Sequence, residues 1–189
     1  MSLTPNHLTA IRILIAFLNP ILLITHRSFG MDVILFFTFT AACITDWLDG
    51  YLARTRSLIT TFGKIADPIA DKLLILGSMG TFAFLRLYSF EWLVPIVLRE
   101  GLVTGARLIF LKKGKVIPAE SAGKIKVGFQ IGSIYATIVF LLAFDSGFFY
   151  QEEPVILFFF QTLHYVGIFL AVVVTIWSGV IFFHRLNQK

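Results

Sequence analysis

Four aspartates, arranged as two pairs, are the residues of this chain whose types and spacing most directly suggest chemistry. Asp46 and Asp49 are three residues apart, and Asp67 and Asp71 are four apart, so each pair shares one face of a helix. Carboxylates are costly inside a membrane, which makes acids within apolar stretches candidates for function. Four clustered carboxylates stay ionised together only beside cations, and their oxygens suit hard divalent ions such as Mg²⁺. We therefore predict a divalent-metal site formed by these four residues.

Small and basic residues beside the aspartates suggest a ligand that contains phosphate. Gly50 and Gly63 have no side chains, so the backbone can approach a nucleotide or a pyrophosphate, and Arg54 offers a planar fork that matches phosphate. An alternative is that these aspartates are only helix-end charges that extend toward the membrane surface. That alternative explains a single aspartate better than four at this spacing. Carboxylates also line ion pathways, but a transporter site is expected near the midplane between repeated halves, and no repeat is visible here.

The elements that must position these residues are membrane-spanning helices. Of the 189 residues, 57% are hydrophobic and 14% are charged, whereas soluble domains average roughly 45–50% and about 25%. A spanning helix needs about 20 mostly apolar residues. Six stretches qualify: roughly Leu8–Thr25, Met31–Ala53, Asp67–Leu87, Trp92–Leu111, Val127–Phe144 and Val155–Phe183. We predict an all-α integral membrane protein, a six-helix transmembrane bundle that forms one domain over residues 1–189.

The basic residues of the short loops fall on alternate connections, which is the asymmetry that sets orientation in a membrane. They follow the second and fourth predicted spans: Arg54, Arg56, Lys64, Lys112, Lys113, Lys115 and Lys124. We therefore predict that both termini and the aspartates face the cytoplasm. The loop over residues 55–62 is too short to cross a bilayer, so the two aspartate pairs should lie at similar depth and converge. No nucleic-acid partner is expected, because no soluble module is available to dock on a duplex.

The spacing of these residues resembles the pattern of the CDP-alcohol phosphotransferase family, D-x2-D-G-x2-A-R, then eight residues, then G-x3-D-x3-D. The chain matches every defined position: Asp46, Asp49, Gly50, Ala53, Arg54, Gly63, Asp67 and Asp71. The resemblance implies a transferase that moves the phosphatidyl group of a CDP-linked lipid to an alcohol and releases CMP. It implies that the aspartates hold two Mg²⁺ or Mn²⁺ ions and that Asp71 is also the general base. It further implies a homodimer and a CDP-lipid site lined by Asp49, Gly50, Ala53, Arg54 and Gly63.

Basic residues in the second half of the chain suggest which alcohol is the acceptor. Arg99 and Arg107 are eight residues apart and share a broad face of the fourth predicted span, and Lys124 and Lys126 open the fifth. Such a pocket suits an acceptor with its own phosphate, although anchoring to anionic lipid is an alternative. Two residues two apart diverge on a regular helix, which favours Lys124 over Lys126. Glu100 points about 100° away from Arg99, so it is not the expected partner of that arginine.

This segment and the opening Pro5-Asn6-x-Leu-Thr9-x-x-Arg12 resemble the phosphatidylglycerophosphate synthases of that family. The resemblance implies that CDP-diacylglycerol is the donor and glycerol 3-phosphate the acceptor, at a bacterial cytoplasmic membrane. Asn6, Thr9 and Arg12 are either substrate contacts or a helix cap with first-turn packing. Other possibilities stay open: a sibling enzyme that uses phosphatidylglycerol (a cardiolipin synthase), inositol phosphate or serine, an ion-coupled transporter, or a catalytically silent assembly subunit.

Overall fold

A computed structural model describes residues 5–56, 61–112, 121–147 and 154–187. The structure does not describe the side chains of some helical residues, namely 5–8, 47, 49–56, 61–69 and 154. The described residues contain no strand and form six long α-helices: α1 (Pro5–Thr25), α2 (Phe29–Arg56), α3 (Thr61–Phe84), α4 (Leu93–Lys112), α5 (Ser121–Asp145) and α6 (Pro154–Asn187). A 3₁₀ turn at Phe90–Trp92 precedes α4. The all-α prediction and the order of the six predicted helices are confirmed.

The helix ends follow local chemistry that hydropathy alone does not report. α1 and α6 begin at Pro5 and Pro154, and the fixed φ of proline suits the first turn of a helix. Gly147, just after α5, has φ of 70°, the left-handed conformation that commonly ends a helix. α3 begins at Thr61 rather than at the predicted Asp67. The prediction began later because Gly63 and Lys64 interrupt the apolar pattern, although the backbone there is already helical. Only residues 57–60 then separate α2 from α3.

Apolar side chains cover the outside of the bundle, as expected for a protein surrounded by lipid. Leu14, Phe17 and Phe158 are examples of large apolar residues with more than half of their surface exposed. Within the described residues, three stretches are long and apolar enough to cross a membrane: Phe29–Asp46, Ser121–Asp145 and Val155–Asn187. Charged residues interrupt the apolar windows of α3 and α4. The chain is an integral membrane protein whose polar residues gather in particular helices.

The helices pack into one bundle with a continuous apolar core. α1 packs against α2 and α3, α5 packs against α6, and contacts of α2 and α3 with α5 join these two groups, while α4 packs against α6. Fully buried residues from four helices meet in this core: Phe39, Met79, Ile138 and Ile168. A Cβ atom at Gly167 of α6 would lie 3.3 Å from the Cβ atom of Ala136 in α5. Gly167 therefore allows these two long helices to approach closely.

Polar contacts connect the helices at the end of the bundle that carries the α1–α2, α3–α4 and α5–α6 connections. His164 Nε2 donates to the carbonyl of Leu87 at 3.1 Å, and its Nδ1 lies 2.9 Å from Thr137 Oγ1. Arg27 Nε donates to Asp145 Oδ2 at 3.0 Å, which links the α1–α2 connection to the end of α5. These contacts hold one end of the bundle together. The candidate site lies at the other end, where α2 and α4 finish and α3 and α5 begin.

Candidate active site

A cavity of about 460 Å³ brings the predicted acidic and basic residues together. α2, α3, α4 and α5 all contribute to its wall. The polar and charged side chains that line it are Cys43, Asp46, Asp71, Lys72, Arg99, Glu100, Thr104, Arg107, Lys124, Lys126 and Gln130. All four basic residues predicted to bind an acceptor phosphate are among them, although their separation along the chain gave no assurance that they would share a cavity with the aspartates.

Asp46 of α2 and Asp71 of α3 meet at the guanidinium group of Arg12 from α1. Arg12 Nη1 lies 3.0 Å from Asp46 Oδ1 and 3.2 Å from Asp71 Oδ1. The arginine side chain is fully buried, whereas the two aspartate side chains remain 49% and 43% exposed. For Asp46 and Asp71, the predicted convergence of the two pairs is confirmed. Arg12 is a shared counter-charge that holds the two carboxylates side by side, and both carboxylate side chains remain partly exposed.

The remaining motif residues occupy α2 and α3, but their side chains lie outside the described residues. These are Asp49, Gly50, Ala53 and Arg54 in α2, and Gly63 and Asp67 in α3. Asn6, in the first turn of α1, also lies outside, while Thr9 is buried. Helical spacing places Asp49 on the face of Asp46 and Asp67 on the face of Asp71. The contacts predicted for these residues therefore stay predictions.

The donor groups at this point fit a hard divalent cation. Asp46 and Asp71 present partly exposed carboxylate oxygens from two helices. Carboxylate oxygens are the ligands that Mg²⁺ and Mn²⁺ prefer. Asp49 and Asp67 would add two more carboxylates one helical turn away. The residues present are thus compatible with the predicted metal site, in which these four aspartates would be the ligands.

Glu100 joins two of the predicted acceptor-binding residues within the basic wall, the part of the cavity that is lined by Lys and Arg side chains. Its Oε1 accepts hydrogen bonds from Lys126 Nζ and from Arg99 Nη1, the latter at 3.3 Å. The expectation that Glu100 is not the partner of Arg99 is wrong. The 100° angle between neighbouring helix positions describes the Cβ direction, whereas a long arginine side chain can turn its head group toward its neighbour. For the same reason Lys126 lines the cavity together with Lys124, with Lys126 buried and Lys124 exposed.

Sequence reasoning missed two residues that shape the basic wall. Lys72 follows Asp71 and donates to Thr104 Oγ1, so it links α3 to α4 beside the aspartates. An ionisable residue within an apolar run was the available signal. Gly179 of α6 faces Arg99, and a Cβ atom there would lie 3.1 Å from Arg99 Cγ. No sequence signal identified this contact, because it joins residues that are distant along the chain.

Comparison with known proteins agrees with the geometry. Residues 2–177 match the family model described as CDP-alcohol phosphatidyltransferase. The chain is similar to the CDP-diacylglycerol–glycerol-3-phosphate 3-phosphatidyltransferase of Bacillus subtilis (strain 168), with 40% identity over 107 residues, or 57% of this chain and 55% of the relative. The proteins of that name from Mycoplasma genitalium and Rickettsia typhi are 32% and 35% identical over 160 and 153 residues. Those alignments cover 81% and 78% of this chain, and 64% and 82% of the relatives.

Proposed function

The chain belongs to the CDP-alcohol phosphatidyltransferase family, and we propose that it transfers the phosphatidyl group of CDP-diacylglycerol to glycerol 3-phosphate. The products are phosphatidylglycerophosphate and CMP. The single observation that supports this most strongly is one cavity in which carboxylates from α2 and α3 face basic side chains from α3, α4 and α5. The acidic half suits a metal-bound diphosphate, and the basic half suits an acceptor that carries a phosphate. The names of the relatives describe the same donor and acceptor.

The acidic half of the cavity would bind the donor. Asp46, Asp49, Asp67 and Asp71 would hold two Mg²⁺ or Mn²⁺ ions, which supply positive charge to the diphosphate when bound. Arg12 keeps Asp46 and Asp71 next to each other and so fixes α2 against α3. Arg54 would contact a donor phosphate through its planar fork, and Gly50, Ala53 and Gly63 would let the nucleotide approach the helices.

The basic half would orient the acceptor toward the donor. Arg99, Arg107, Lys124 and Lys126 bind the phosphate of glycerol 3-phosphate, which leaves its primary hydroxyl group directed at the acidic half. The hydroxyl oxygen forms a bond to the phosphorus that carries diacylglycerol, and the bond from that phosphorus to the bridging oxygen of the anhydride breaks. CMP leaves with the electron pair. Asp71, which is partly exposed in the cavity, accepts the hydroxyl proton as the general base.

The proposed location follows from the distribution of charge. Six spans with both termini in the cytoplasm would place the cavity on the cytoplasmic side of a bacterial membrane, where glycerol 3-phosphate is available. Lys and Arg residues cluster in the connections at the cavity end, as expected for cytoplasmic loops. A single domain over residues 1–189 and a homodimer stay predictions. Cross-linking in native membranes and cysteine labelling of the two ends of the bundle would test the dimer and the orientation.

Turnover by the purified protein tests the proposed reaction directly. We expect CMP release from CDP-diacylglycerol with glycerol 3-phosphate and Mg²⁺ or Mn²⁺, and no release after chelation by EDTA. Glycerol, serine, inositol phosphate and phosphatidylglycerol serve as alternative acceptors in matched reactions. Equal turnover with unphosphorylated glycerol would contradict the role of the basic half, and preferential use of another acceptor would identify a sibling enzyme. Solute flux into liposomes without CMP release would support a transporter instead.

A further inference from the structure

Glu100 is a buried acid in a wall that otherwise consists of cations and neutral groups. It is 9% exposed and lines the cavity. Its Oε1 accepts hydrogen bonds from both Lys126 and Arg99. Its other oxygen, Oε2, makes no hydrogen bond among the described residues, yet it is absent from the fully buried unsatisfied atoms of that part of the chain. Oε2 is therefore a hydrogen-bond acceptor that keeps some accessible surface, on a residue that lines the cavity.

A carboxylate at this position is not explained by phosphate binding alone. It repels a phosphate dianion, and the phosphate oxygens of the ligand have no hydrogen to donate to it. Charge balance accounts for Oε1, which pairs with two cations. It does not account for the accessible surface that Oε2 keeps. A hydroxyl group is the complementary partner, because it donates a hydrogen bond and carries no charge. The wall thus suits a ligand that bears a phosphate and a free hydroxyl group together.

We propose that Glu100 is a specificity-determining residue whose Oε2 accepts a hydrogen bond from the non-reacting, secondary hydroxyl group of the acceptor. This inference rests on the proposed function, in which the primary hydroxyl group attacks the donor. Oε1 meanwhile holds Arg99 and Lys126 in place for the acceptor phosphate. The site therefore recognises polyol phosphates in particular, rather than any alcohol that carries a phosphate group.

An acceptor without the secondary hydroxyl group provides the sharpest test. 3-Hydroxypropyl phosphate has the same chain length, primary hydroxyl group and phosphate as glycerol 3-phosphate but lacks that hydroxyl group. A site that hydrogen-bonds a hydroxyl group strongly rejects the analogue without it, because its own buried acceptor is left unpaired. We expect the wild-type protein to prefer glycerol 3-phosphate by at least about 100-fold in kcat/KM.

Shortening the side chain separates recognition of the hydroxyl group from charge balance. Glu100→Asp keeps a carboxylate beside Lys126 and Arg99 but withdraws it from the cavity by one methylene group. We expect kcat/KM for glycerol 3-phosphate to fall about 30-fold or more, kcat/KM for the analogue to change less than about threefold, and the KM for CDP-diacylglycerol to stay the same. Glu100→Gln, which leaves an amide in place of the charge, should also lower the preference. Glu91→Asp is the matched control, because Glu91 is exposed in the 3₁₀ turn before α4.

The outcomes distinguish this inference from the function on which it rests. Failure of the wild-type protein to use glycerol 3-phosphate would refute the proposed function, and the inference with it. Use of both acceptors within about threefold would refute the inference alone. An equal loss for both acceptors in Glu100→Asp and Glu100→Gln would show that Glu100 only positions the basic residues. If Glu100→Gln does not fold, the wild-type and Glu100→Asp ratios decide.

Discussion

Arg12 offers a test of whether the two aspartates must be held together for turnover. Its buried guanidinium group contacts Asp46 and Asp71 at 3.0 and 3.2 Å through one nitrogen atom. The informative substitution is Arg12→Met, which keeps an unbranched side chain that fits the apolar surroundings but removes the charge. Arg12→Lys retains the charge on a shorter side chain and serves as the matched comparison.

The expected magnitude follows from the exposure of the two carboxylates. Opposite charges at this distance attract by roughly 5 kcal/mol at an effective dielectric constant of about 20, whereas fully exposed pairs contribute only about 0–1 kcal/mol. Because both aspartates are about half exposed, we assign an intermediate value of about 1–1.5 kcal/mol to each contact. Loss of both contacts should then lower kcat/KM by about 30- to 150-fold, since about 1.4 kcal/mol corresponds to a factor of ten.

Stability should respond differently from activity in the same variant. Water can solvate the exposed parts of Asp46 and Asp71, so Arg12→Met does not strand them in the core, and the substitution also removes the cost of burying the guanidinium group. We expect the unfolding temperature in detergent to change little while CMP release falls, with Arg12→Lys between Arg12→Met and the wild type. Normal turnover in Arg12→Met would refute the role of Arg12. A large fall in the unfolding temperature that accounts for the lost activity would assign Arg12 to folding instead.

Three further substitutions test other parts of the structure. Asp71→Asn should abolish CMP release while binding of CDP-diacylglycerol, measured by isothermal titration calorimetry, largely survives; normal turnover would exclude Asp71 as the base. Gly179→Ala should raise the KM for glycerol 3-phosphate several-fold with little change in the KM for the donor, because the added Cβ would press on Arg99 Cγ at 3.1 Å. Asp32→Asn should leave the protein as stable or up to about 1 kcal/mol more stable, since the fully buried Asp32 carboxylate lies beside the like-charged Asp145. The comparison is Asp145→Asn, which loses the ion pair with Arg27 and should lower the unfolding temperature.

The sequence was sufficient to predict the helices and the convergence of Asp46 and Asp71 because both depend on local regularities. Helical periodicity places residues three or four apart on one face, and a connection too short to cross a bilayer predicts that the two aspartate pairs lie on the same side. The limits of α3 were predicted less well, since Gly63 and Lys64 interrupt the apolar pattern at the start of the helix. Composition reports where lipid can surround a helix, which is a different property from where its backbone hydrogen bonds begin.

Contacts between distant side chains were beyond sequence reasoning. Arg12 is 59 residues from Asp71 in the chain, and its resemblance to a family position gave no indication that it would bridge two acids. The pairing of Glu100 with Arg99 and Lys126 depends on side-chain torsions that helix geometry does not fix. Gly179 influences Arg99 only because α6 passes beside α4. In each case the deciding quantity is the position of one helix relative to another.

Arg12 and Glu100 have equivalent relations to the charged side chains of the two halves of the cavity. Each is a buried residue surrounded by groups of opposite charge, and each uses a single atom to contact two of them: Arg12 Nη1 with Asp46 and Asp71, and Glu100 Oε1 with Arg99 and Lys126. In each half, one central charge joins two side chains of the opposite sign. Two anionic substrates repel each other in water. In the proposed reaction, the acidic half would bind the donor through divalent cations and the basic half would bind the acceptor directly, which would allow the two substrates to meet.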